Sequence, residues 1–121
     1  IYGLDRLDIN KTIYITEGPI DSLFLPNAIA VAGSDLEVKK LKRKAVYVFD
    51  NEPRNREITQ KMEKLIEKNY NICIWPKSLK YKDINDMVMS GMTPVEIQGI
   101  IDNNTFSKLS AHQQLVNWKE V

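Results

Sequence analysis

Four short apolar, β-rich runs at residues 12–15, 28–31, 45–49 and 72–75 constrain this chain most, because each is followed by turn chemistry or a charged segment. Runs of four or five residues suit strands buried on both faces. Between the third and fourth lies "RNREITQKMEKLIEKNY", which sets Ile58, Met62, Leu65 and Ile66 at helical spacing with charges on the other face, and so predicts a helix. Shorter helical pieces at 21–25 and 36–43 complete a β-α-β-α-β-α-β alternation. That pattern predicts an α/β fold with a mainly parallel sheet of about four strands between helices.

Beyond the fourth run, "INDMVMSG" offers Gly91 as a C-cap, and "TPVEIQGIIDNN" places Thr93 as a cap with Pro94 at the first helical position. The tail "SKLSAHQQLVNWKEV" spaces Leu109, Leu115, Val116 and Trp118 for a last amphipathic helix that packs back. Met87, Met89 and Met92 read as core filler, Trp75 and Trp118 as packing anchors, and His112 as a surface residue. The chain has 121 residues, the size of one domain with one core. It begins at Ile1, from which a piece of a longer protein is expected.

Charge and cysteine content exclude several function classes. Seventeen Lys and Arg against sixteen Asp and Glu leave a formal charge of +1, so a polyanion can be attracted only by local patches. The single cysteine, Cys73, excludes an internal disulfide and a Cys-based zinc cluster, and it favours an intracellular, cytoplasmic setting. No apolar run reaches the roughly 18 to 20 residues of a membrane span.

The acids fall where a parallel sheet would present them. Open α/β sheets bind ligands outside the C-terminal ends of their strands. The first strand ends in Glu17, the third in "VFDNEP" with Asp50 and Glu52, and the region after the fourth carries "KDIND" with Asp83 and Asp86. Magnesium takes one or two carboxylates and completes its shell with water and phosphate oxygens. Gly18, next to the first acid, leaves room for a phosphate to approach the backbone. Arg54 and Arg56 beside the acids are candidates for phosphate contact. Asp83 or Asn85 can equally start a helix, and the basic stretch "KKLKRK" at 39–44 can be a solvated helix face or a nucleic-acid contact.

Together "IYITEGPIDSL", "AIAVAG", "VYVFDNEPRNREI" and "KDINDMV" resemble a Toprim domain, the catalytic core of bacterial-type primases, topoisomerases and some nucleases, and most nearly that of tailed-bacteriophage primases. The resemblance covers about residues 12–90 and leaves about 93–120 as a C-terminal helical extension of a single domain. It implies nucleotidyl transfer that makes an RNA primer on a single-stranded DNA template during DNA replication. Glu17, Asp50 and Glu52 would be catalytic, and the same three with Asp83 would hold Mg²⁺ or Mn²⁺. Gly18, Arg54, Arg56 and Lys82 would contact nucleotide or nucleic acid. Partners implied are NTPs, the template, a replicative helicase and the remaining primase domains. Glu52 departs from the family's usual Asp, and "EPRN" replaces its small Gly/Ala turn. A Toprim phosphodiesterase, a receiver-like module phosphorylated at Asp50, and a non-catalytic scaffold that docks a helicase or clamp are the alternatives.

Overall fold

The computed structural model describes residues 3–31 and 37–121. All four predicted strands form, shifted by a residue or two: β1 (Ile13–Thr16), β2 (Ala28–Ala30), β3 (Ala45–Val48) and β4 (Asn71–Cys73). A fifth strand that the sequence reading did not anticipate, β5 (Thr105–Phe106), adds antiparallel to β4 through the pairs Ile72↔Phe106 and Cys73↔Thr105. Among the described residues the sheet thus has five strands, where about four were expected, in the order β2-β1-β3-β4-β5, and it is parallel except at the β4–β5 edge.

Side chains alternate across this sheet and build two cores. On one face Ile13, Ile15, Tyr47, Phe49, Ile72 and Ile74 meet α2 (Arg56–Glu67) and α5 (Lys108–Trp118). On the other, Tyr14, Val46, Val48, Cys73 and Trp75 meet α3 (Ile84–Met89) and α4 (Pro94–Asn103). Every residue of β1, β2 and β3 is buried, which explains why their sequences read as unbroken apolar runs rather than as alternating ones. At about 25 cal/mol per Å² of apolar surface, such two-sided burial is the main stabilising term.

Helix boundaries follow their caps. The Asn55 side chain accepts from the Ile58 N–H and starts α2; Asp83 accepts from the Asp86 N–H and starts α3; Thr93 and Glu96 close a reciprocal capping box before Pro94 at α4. Gly91, at φ +107°, ends the α3 turn in a conformation that suits glycine. The helix expected at 21–25 begins earlier, as the single turn α1 (Pro19–Ser22), because Pro19 presets its first φ. The segment expected to be helical at 36–43 is one 3₁₀ turn at Lys39–Leu41; residue 36 lies outside the described residues.

Two readings of side-chain placement are corrected. Met89, taken as core filler, is 78% exposed, while Met87, two residues away on α3, is fully buried. On α5, Leu109 and Val116 point outward and the buried stripe is Ala111, Leu115 and Trp118, since the small Ala111 lets the helix lie close to α2. Both tryptophans are anchors as predicted: Trp75 Nε1 donates to the Phe49 carbonyl, and Trp118 Nε1 to Asn51 Oδ1. Among the described residues no helix is long and apolar enough to cross a membrane.

The outer strands are guarded. Gly3, at φ +90°, brings its backbone so close to β2 that a Cβ there would stand 2.9 Å from the Ala28 carbonyl oxygen. The opposite edge is only the two residues of β5.

Candidate active site

From β1 the chain crosses to β2 on one side, and its next strand, β3, pairs on the other side of β1. The sheet thus reverses direction between β1 and β3, the switch point where a crevice opens at the C-terminal strand ends. Thr16 and Val48 are register partners, so both strands end level. Glu17 follows β1 directly, and Asp50 comes two residues after β3. Strand ends set by apolar runs therefore bring Glu17 and Asp50 to the same edge of the sheet.

Asp50 is half-buried and its carboxyl is pushed up to about 6. Loss of water is the main cause; the nearby charges of Asp21, Asp83 and Glu52 add to it, and Lys82 opposes it. Asp21 is also raised, again first by burial and further by Asp83 and Asp86, while the Asn85 N–H at 3.2 Å and a hydrogen bond with Asp50 pull it back. Asp21 and Asp50 share a hydrogen bond while neighbouring acids push both upward, so the group carries a negative charge that a proton or a cation can offset.

Asp21 is the functional candidate that the sequence reading missed, taken there only as the start of a helix. The available signal was its spacing: four residues after Glu17, in the first turn of the helix leaving β1, a side chain turns back over the strand end. Gly18 has a φ of −90°, open to any residue, and a Cβ there would meet Asp21 Oδ2 at 3.5 Å, an ordinary contact.

Glu17 is occupied by a cation of the protein itself. Lys61, on the second turn of α2, places Nζ 2.7 Å from Glu17 Oε2 and 3.3 Å from Glu57. Asp83 spends one oxygen on capping α3, 2.8 Å from the Asp86 N–H, so capping and proximity to Asp50 coexist at that residue. Glu52 lies in the turn after Asp50 and acts on it through charge. Arg54 forms an exposed pair with Glu120 at 3.1 Å, and Arg56 stands exposed at the start of α2. Lys82 is tied in through its backbone, whose carbonyl accepts from the Asn51 N–H at 2.6 Å.

Asn51 holds this loop together. Its Nδ2 donates to the carbonyls of Leu79 (2.9 Å) and Tyr81 (3.0 Å), and its Oδ1 accepts from Trp118 at 3.1 Å. Beside it opens a cavity of about 160 Å³ whose lining includes Lys77 and Lys80. Among the described residues no group of three or more His, Cys, Asp or Glu side chains is placed to hold a metal ion by itself. A hard divalent ion takes oxygen ligands and needs few from protein when water and phosphate supply the rest.

No protein-family model matches the chain. Over its whole length it is similar to the DNA primase of Enterobacteria phage T4, with 40% identity across 125 residues. The chain spans 36% of the length of that primase. The similarity to that phage primase therefore rests on sequence over about a third of its length.

Proposed function

We propose that this chain is the Toprim-type, metal-dependent nucleotidyl-transfer core of a DNA primase, which extends an RNA primer from NTPs on single-stranded DNA. The carrying observation is the coupled carboxyl group of Asp50 with Asp21 and Asp83, set at the crevice where Glu17 also emerges. Similarity to the phage primase over the full chain supports the same reading.

In this reading Asp50 and Asp21 hold Mg²⁺ or Mn²⁺, with Glu17, Glu52 and Asp83 within the same crevice. When bound, the ion neutralises phosphate charge and makes a 3′-hydroxyl a better nucleophile. Glu17 accepts the proton of that hydroxyl or joins the ligands once Lys61 lets it go. Lys61 holds Glu17 in orientation until then. Lys82, Arg56 and the Lys77–Lys80 side of the crevice draw the nucleotide phosphates in. Template choice, a replicative helicase and further primase domains belong to the larger protein that this reading implies.

Titration with Mn²⁺ followed by calorimetry and paramagnetic NMR broadening tests the proposal. Broadening centred on Glu17, Asp21 and Asp50 is expected, with affinity lowered about ten- to a hundredfold in Asp50→Asn and Glu17→Gln. Binding indifferent to both substitutions overturns it.

A further inference from the structure

The basic stretch at 39–44 lies at the other end of the sheet, where β1 and β3 begin, and the proposed chemistry makes no use of it. Its single 3₁₀ turn wraps a cavity of about 530 Å³ lined by Lys39, Lys40, Lys42, Arg43 and Lys44 over an apolar floor of Ile9, Ile13 and Leu41. Among the described residues none of these five cations has a carboxylate within ion-pair distance. A solvated helix face would spread its charges around a cylinder. Here all five cationic residues border one concavity.

The turn is also held in place. Tyr47 Oη accepts from the Val38 N–H at 2.9 Å, the Lys44 carbonyl accepts from the Ile13 N–H at 2.9 Å, and Lys42 lies 5.0 Å over the Tyr70 ring. Lys44 Nζ donates to the Ile9 carbonyl. Lys39, Lys40 and Arg43 remain exposed on this fixed frame. Little ordering is then needed when an anion arrives, which favours binding.

We propose that this cleft is a second, sequence-blind contact for a single-stranded nucleic-acid backbone, at the sheet end opposite the carboxylates. Phosphate is the matching chemistry for unpaired lysines and an arginine in a row. Among the described residues the lining is cations over aliphatic side chains, with no aromatic side chain to stack a base, so the phosphate backbone is the group it matches best. A flexible single strand can enter such a concavity, and the apolar floor accepts its sugars. The inference rests on the primase reading for its biological setting, but its chemistry is independent of the carboxylates.

Fluorescence anisotropy of a labelled thymidine oligonucleotide, measured in EDTA across a salt series, separates the two. The wild-type chain binds at low salt, and Lys40→Gln/Arg43→Gln weakens binding several-fold and lowers the magnitude of the log K against log salt slope by about 1.4, two contacts at ~0.7 each. Asp50→Asn leaves this binding intact while losing Mn²⁺. An unchanged affinity and slope in the double variant, or no binding by the wild type at low salt, overturns the cleft and leaves the metal site standing. A poly-glutamate peptide bound through Lys40 and Arg43 in place of the oligonucleotide also overturns it, assigning the cleft to an acidic protein. Circular dichroism melting checks that the double variant folds as the wild type does.

Discussion

The two ends of the sheet are both fastened by an asparagine, yet they hold opposite electrostatic states. At the N-terminal end Asn27, at φ 53°, accepts from the Asp8 N–H at 2.6 Å and donates to the carbonyls of Asp8 and Thr12, and the neighbouring basic turn leaves Lys39, Lys40 and Arg43 exposed. At the C-terminal end Asn51 makes an equally full set of bonds, but beside it Asp50 is held half-buried where Asp21, Asp83 and Glu52 all disfavour its charge. The difference shows that fastening and relaxation are separate properties. One hub completes a structure; the other keeps a repulsive group from drifting apart.

Substitutions break this comparison in a definite order. Asn51→Ala has the largest effect, a loss of about 2–4 kcal/mol by denaturant unfolding, because two carbonyls and the Trp118 N–H lose their partner at once. Asp50→Asn moves the other way. Its carboxyl is raised in the folded chain, so folding binds a proton more tightly than the unfolded state does, and stability falls as pH rises from about 4 through about 6. The neutral side chain therefore stabilises the metal-free protein by about 1–2 kcal/mol at pH 7 and flattens its melting temperature across that window. Equal stability of the two at pH 7 would mean that the acids are not strained. Asn27→Gly has the smallest effect, about 1 kcal/mol, since glycine keeps the positive φ and only exposed hydrogen bonds are lost.

What the sequence revealed divides along similar lines. Strands β1 to β4 were legible because two-sided burial leaves an apolar run that no turn or surface segment imitates. Strand β5 was not, being two half-exposed residues whose pairing depends on where α4 delivers the chain. Leu109 and Val116 misled because a large apolar residue signals a buried face more loudly than Ala111 does, although close packing favoured the small one. Glu17, Asp50 and Glu52 could be placed after strands β1 and β3 from the apolar runs alone. Asp21 needed the fold of α1 to be placed, and Lys61 needed the packing of α2 over β1 before it could be paired with Glu17.

The guarded rims of the sheet bear on how such a chain survives before and during assembly. A foreign strand docks by adding hydrogen bonds to a long, free ladder. Here one rim is a three-residue strand with the Gly3 backbone pressed against it, and the other is a two-residue strand running the opposite way to its neighbours. Neither gives an incoming strand enough rungs to grip. A core this rich in valine and isoleucine, which would be an amyloid template if opened flat, is thereby made unattractive to its own copies.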